Sequence, residues 1–216
     1  MAKWTAPAVL TVGLAVLLAT ALHPLPDRTA FEFGLLYTLT RYEQSLPLAG
    51  LGLALAQMRL RPLFVNVALF IAAVPLGGLV ANAIVAALAT GADLFVYLRL
   101  LPAACCATTG LVLVVRGTIR AFLLPVAALA SGLALGLVIN MSDPTVEESM
   151  FALGAVACGI WLVAGPLLLW RRFAQPWFLI AGRIFGAWLI AVGLMLGALH
   201  LIPPPDLAEP PPAMSE

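Results

Sequence analysis

Residues 94–139 read LFVYLRLLPAACCATTGLVLVVRGTIRAFLLPVAALASGLALGLVI, and this stretch decides the fold. Two apolar runs, Leu94 to Val115 and Ala121 to Ile139, flank a short joint that carries Arg116 and Arg120. A helix rises about 1.5 Å per residue and a bilayer's hydrocarbon layer is roughly 30 Å thick, so each run has the length of one crossing. Lipid offers no hydrogen-bond partners to the backbone, so such a run must be helical. The expectation is two antiparallel transmembrane helices joined by a basic cytoplasmic turn.

The same unit extends in both directions. Further runs lie near Ala6 to Leu22, Tyr37 to Gln57, Leu63 to Ala89, Ser149 to Trp170 and Trp177 to Ile202. Of the 216 residues 63% are hydrophobic and 10% charged, with mean hydropathy +1.08. One soluble core of this length cannot hide that much apolar surface. The fold class is therefore all-α, a polytopic transmembrane helix bundle of about seven spans whose first partner is the lipid bilayer.

Charge placement sets the orientation. Lys3, then Arg59 and Arg61, then Arg116 and Arg120, then Arg171 and Arg172 fall at every second joint, without an acidic residue among them. The alternate joints hold Asp27, Glu32, Asp93, Asp143, Glu147 and Glu148, and the tail adds Asp206, Glu209 and Glu216. Basic loops stay cytoplasmic, so the amino terminus is expected inside and the carboxyl terminus outside. One missed span would put every later basic loop on the wrong side, so the alternation supports the count independently.

Three regions follow. Residues 1–22 read either as a first transmembrane helix or as a cleaved signal peptide, with Lys3, an apolar core from Val9 to Ala19 and a small-x-small Ala19-Thr20-Ala21; cleavage would leave six spans. Residues 23–202 form the membrane bundle. Residues 203–216 are a proline-rich acidic tail, because successive prolines lack the amide donor that a helix needs.

Ionisable groups inside a membrane are costly and mark function by default. The apolar run Leu46 to Gln57 spans only about 18 Å as a helix, so the second span must begin earlier, near Tyr37. That places Arg41, Tyr42, Glu43 and Gln44 in its outer part. On one continuous helix Tyr37, Arg41 and Gln44 share a face, as do Thr40, Glu43 and Pro47. Phe31 to Leu39 is apolar but short, and reads as a re-entrant or interfacial segment leading into that span. The alternative is a helix that starts at Leu46, with Arg41 and Glu43 as an interfacial ion pair.

Arg99 and Arg183 lie inside spans, where long stems reach the headgroups. Asn66, Asn82, Asn140, Thr108 and Thr109 are candidates for interhelical hydrogen bonds of about 1 kcal/mol. Gly77, Gly78, Gly132 and Gly136 supply small packing faces, the last two at small-xxx-small spacing. Cys105, Cys106 and Cys158 sit in apolar runs and read as small core residues. No basic domain for nucleic acid, no phosphate-cradling glycine loop and no nucleophile–base constellation is present, so neither an enzyme nor a cofactor is expected.

The stretch from Phe33 to Gln57, FGLLYTLTRYEQSLPLAGLGLALAQ, resembles the signature of the HupE/UreJ proteins, hydrogenase and urease accessory membrane proteins regarded as nickel or cobalt permeases. The family pattern is roughly G-x-x-H-P-x-x-G-x-D-H-x-L. Gly34 matches its leading glycine and Leu46 its trailing leucine, and Glu43 stands where the family has aspartate. Tyr37 and Thr38 replace the His-Pro pair, Arg41 the glycine, and Gln44 the second histidine. Pro75-Leu-Gly-Gly78 is similar to the family's next glycine-rich stretch, and His23-Pro24 is similar to a histidine near the mature amino terminus of some members.

The resemblance implies a bacterial inner-membrane permease for a small cation such as nickel or cobalt, with the metal site lost or rebuilt around Glu43. Gln44 and Tyr37 would then add neutral oxygens, Arg41 or Arg99 would tune the charge, and His23 is the remaining candidate imidazole. A different class stays open: a non-transporting subunit that stabilises a larger complex, through homo-oligomer or partner contacts on its glycine faces.

Overall fold

A computed structural model describes residues 5–24, 27–88, 95–141, 148–173, 175 and 177–201. Among the described residues the chain is all helix and coil. Eight helices follow in order: α1 (Thr5–Leu22), α2 (Ala30–Thr40), α3 (Tyr42–Ala56), α4 (Leu60–Leu88), α5 (Phe95–Val114), α6 (Thr118–Asn140), α7 (Glu148–Phe173) and α8 (Trp177–Leu201).

Four are long and apolar enough to cross a membrane: Leu60–Ala86, Thr118–Asn140, Ser149–Phe173 and Trp177–Leu199. Leu10–Leu22 and Leu100–Val114 are shorter apolar helices. The bundle is apolar outside as well as inside. Phe64, Phe122, Ile180, Ile184 and Leu194 project outward, while Leu51, Leu55, Leu124 and Leu189 are fully enclosed. An apolar exterior of this extent suits lipid.

The continuous second span expected from Tyr37 to Gln57 is not formed. Arg41 is extended at φ −80° and ψ 90°, ending α2 and starting α3. At the break Thr40 Oγ1 turns back onto the Leu36 and Tyr37 carbonyls at 2.8 and 3.4 Å, and the Arg41 amide donates to the Tyr37 carbonyl at 3.3 Å. Beyond it the Arg41 carbonyl accepts from the amides of Gln44 and Ser45 and opens a new helix. The apolar segment ahead of the break is thus a helix in its own right, capped by a Thr29–Glu32 capping box.

Contacts across the bundle give the helix directions. Gly132 meets Phe70, Gly136 meets Val74 and Gly78 meets Asn140, so α4 and α6 run parallel. Gly110 meets Gly186 and Gly193 meets Ala103, so α5 and α8 are antiparallel. Gly52 lies against Val163, and Arg171 bonds the Met58 carbonyl, so α3 and α7 are parallel. Gly13 against Trp161 and Gly165 against Leu10 make α1 antiparallel to α7. Gly50 on Leu189 with Gly182 on Gln57 makes α8 antiparallel to α3, and Arg120 on Gln57 brings the start of α6 to the end of α3. Consequently α3, α5 and α7 point one way and α1, α4, α6 and α8 the other.

Backbones touch where glycine permits. A Cβ on Gly136 would overlap the Val74 carbonyl, and one on Gly77 the Leu133 carbonyl. Gly34 and Gly154 bring α2 onto α7 in the same manner. The amides and hydroxyls expected to bridge helices mostly do not. Asn66 donates to Pro62 O, Asn140 to Gly136 O and Thr108 to Ala104 O, each within its own helix. A short side chain reaches its own preceding turn more easily than a neighbouring helix. Thr38, which donates to the Ala155 carbonyl of α7 at 3.4 Å, is an interhelical bond the sequence did not single out.

Candidate functional site

The break at Arg41 organises the polar groups. Arg41 Nη1 donates to Glu43 Oε1 at 3.2 Å, and the guanidinium lies 4.6 Å from the Tyr37 ring centre. Tyr37 in turn packs edge-on to Phe151 at 5.4 Å. Since the helix is broken, Tyr37, Arg41 and Gln44 do not share a face. Arg41 and Tyr42 are exposed, Glu43 is partly covered, and Gln44 is 5% exposed inside the bundle. The Arg41–Glu43 ion pair therefore forms at the start of a helix that begins at Tyr42, not at Leu46.

Proline at position 47 has no amide to donate to the Glu43 carbonyl, which would otherwise receive the bond one turn later. The group approaching that carbonyl is the Cys106 thiol, at 3.9 Å. Beneath it lies a cavity of about 60 Å³ between α3, α5 and α6, with Glu43 and Met141 at its exposed end and Gln44, Cys105 and Ser131 in its wall. Met141 to Ser131 is about 15 Å along α6, so the cavity runs well into the bundle. Both amide atoms of Gln44 and the Ser131 hydroxyl, itself 3% exposed, find no hydrogen-bond partner among the described residues.

Of the expected site residues, Glu43 and Gln44 are thus brought together at one cavity; Arg41 joins them through its ion pair with Glu43, and Tyr37 lies against Arg41 and Phe151 outside the lining. Arg99 belongs to α5, with its side chain outside the described residues. Asp93, Asp143, Glu147, the tail from residue 203 and the side chains of Glu148 and His200 also lie outside them. Gly77, Gly78, Gly132 and Gly136 line the α4–α6 contact, away from the break. Ser131 and Cys105 escaped the sequence reading as site residues. The usable signal for Ser131 was a lone hydroxyl beside Gly132 within the apolar run Ala121 to Ile139.

His23 lies at the far side of the α1–α2 loop. Its Nδ1 is 3.2 Å from Glu32 Oε2, and Arg28 donates to the His23 and Ala21 carbonyls at the end of α1. Glu32 also accepts the Thr29 amide at 2.8 Å. That backbone bond is the main force holding the Glu32 carboxyl below its ordinary 4.5; partial desolvation opposes it and His23 assists it. Among the described residues no group of three His, Cys, Asp or Glu side chains could hold a metal ion.

The opposite end is a clamp. Arg120 of α6 donates to Gln57 Oε1 at 2.7 Å and to Ala54 O at 3.0 Å, and Arg171 of α7 donates to Met58 O at 2.8 Å. Two arginines read from sequence as topology markers therefore close the carboxyl end of α3, where the Ala54 carbonyl also accepts the Gln57 amide at 3.3 Å. A larger apolar groove of about 540 Å³ opens between α4, α6 and α7, with Asn82 and Asn140 on its wall.

The architecture is that of a membrane protein. No family model, curated protein or solved structure matches the chain.

Proposed function

We propose that the chain is a small permease-like protein of the bacterial inner membrane, laid out like the HupE/UreJ proteins, with its solute site at the α2–α3 break. On this reading α2 and α3 make one interrupted crossing, so the eight helices give seven passes with the amino terminus inside. The alternating helix directions support that count, and the basic joints support the orientation. Interrupted helices that leave backbone carbonyls unpaired near the middle of a bundle are how secondary permeases build binding sites.

The observation that carries the proposal is the Gln44 amide, buried with both polar atoms unpaired in the wall of the cavity that Glu43 overhangs. A buried amide left without partners is costly, so it is retained for something that fills the cavity. Nickel or cobalt is the cargo the resemblance implies. Such ions favour imidazole, whereas this cavity offers an amide, a hydroxyl, a thiol and a carboxylate already paired to Arg41. The donor set supports a rebuilt site.

The test is uptake into proteoliposomes by wild type, Glu43→Ala and Gln44→Leu, with nickel, cobalt, sodium and small neutral solutes offered in turn. Loss of uptake in Gln44→Leu is expected; equal uptake by all three proteins removes the site.

A second reading, a non-transporting subunit of a larger membrane complex, is favoured by the open apolar groove between α4, α6 and α7. A stoichiometric partner retained through purification in mild detergent would support it.

A further inference from the structure

We propose that the cavity beneath the α2–α3 break binds a small neutral solute that both donates and accepts hydrogen bonds, of the formamide or urea class. The inference rests on the reading that this break is the protein's solute site, and it names the solute.

Charge argues first. Glu43 supplies the carboxylate at the cavity, and its Oε1 is held by the Arg41 guanidinium at 3.2 Å. The pair sums to zero, so a cation entering would meet no uncompensated negative charge and would have to displace Arg41. An anion would face the carboxylate that Arg41 already occupies.

Hydrogen-bond complementarity argues second. Gln44 Nε2 offers donors and Gln44 Oε1 offers an acceptor, both buried and unpartnered, and Ser131 Oγ does either. A bare cation would satisfy Oε1 and leave the N–H groups unpaired. A carboxamide presents the mirror pattern, one carbonyl and one N–H edge, and can pair with both ends of the Gln44 amide at once. The Glu43 carbonyl, released by Pro47, is a further acceptor for an N–H.

Size argues third. A cavity of about 60 Å³ is well below the roughly 150 Å³ that encloses benzene, and holds about two waters or a solute of a few heavy atoms. Leu48, Leu101, Pro102 and Leu135 wall the remainder, so bulk beyond the amide has no room. With so few heavy atoms the affinity is expected at about millimolar at best.

The experiment uses the full-length protein in lipid nanodiscs and follows saturation-transfer NMR of formamide through the millimolar range, against N,N-dimethylformamide, which lacks the N–H donors and is larger. Saturable binding of formamide and none of its dimethyl analogue is expected. Gln44→Leu, which removes the amide, and Ala134→Leu, which fills the cavity, should each weaken binding by roughly tenfold or more. Both variants are first required to elute as wild type does; Ser131→Ala, which removes one buried oxygen, is read in place of a variant that does not, with several-fold weakening expected.

Absent saturation, or equal binding by wild type and Gln44→Leu, overturns the proposal and leaves the cavity to water alone. A saturable response to sodium or nickel that Glu43→Gln abolishes also overturns it, in favour of a cation site. Formamide binding without accelerated urea flux across proteoliposomes supports this inference and removes the permease reading, so the two fail separately.

Discussion

Arg120 and Gln57 meet at 2.7 Å across the α3–α6 contact, and the second arm of the same guanidinium holds the Ala54 carbonyl at 3.0 Å. Arg120 is half-buried, and its planar fork engages a side chain and a helix end together. Replacing it with Met leaves Gln57 and the end of α3 without those bonds. A loss of about 1–3 kcal/mol is expected, read as a fall of several degrees in thermal unfolding in detergent. Arg120→Lys should recover little, since an ammonium cannot span both acceptors. An unchanged midpoint in Arg120→Met would show the clamp to be idle.

Glycine substitutions should separate contact from mere presence. A methyl at Gly136 collides with the Val74 carbonyl, a backbone atom that cannot turn aside. Gly136→Ala is expected to destabilise by about 1–3 kcal/mol through overpacking. At Gly165 the nearest atom is the tip of Leu10, 3.4 Å from the added carbon, so Gly165→Ala should lie within about 0.5 kcal/mol of wild type. Helix propensity favours alanine at both sites, so comparable losses at the two positions would mean that the close α4–α6 approach does not set the cost.

Much of the bundle was legible because its cause is one-dimensional. Apolar length and the position of arginines are properties of a string, and α4, α6, α7 and α8 follow from them within a few residues. The break at Arg41 was less legible, because it is a single extended residue between two stretches that each read as helix. Period counting across Tyr37 to Gln44 assumes a helix that the backbone does not keep. Glu43 and Gln44 stood out as polar residues in an apolar setting. Their companion Ser131 lies 87 positions after Gln44, and only packing brings α3 and α6 together. The same holds for the clamp, in which Arg120 and Arg171 mark a side of the membrane by composition and hold a helix end by geometry.

The start of α2 carries a pH dependence of definite sign. Glu32 has its folded pKa depressed, chiefly by the Thr29 amide, so its ionised form favours the folded state. That contribution is present above the ordinary value of 4.5 and is lost as pH falls through the lower folded value. Thermal stability of wild type should therefore decline on acidification below 4.5, and Glu32→Gln should decline less over the same interval. Parallel curves for the two proteins would show that the capping box contributes nothing to acid sensitivity.

With α3, α5 and α7 opposed to α1, α4, α6 and α8, the two ends of α6 must face opposite compartments if α6 crosses the membrane. Arg116 precedes α6 and is exposed; Met141 follows it and is exposed. Single cysteines at these positions, in a chain whose Cys105, Cys106 and Cys158 are replaced by alanine, should label from opposite sides of sealed vesicles with a membrane-impermeant maleimide. Arg116→Cys should react from the cytoplasmic side and Met141→Cys from the other, because basic joints are retained inside. Labelling of both from one side would remove α6 as a span and, since α4 runs parallel to it in close contact, would undo the alternation on which the proposed placement of Glu43 toward the outer face depends.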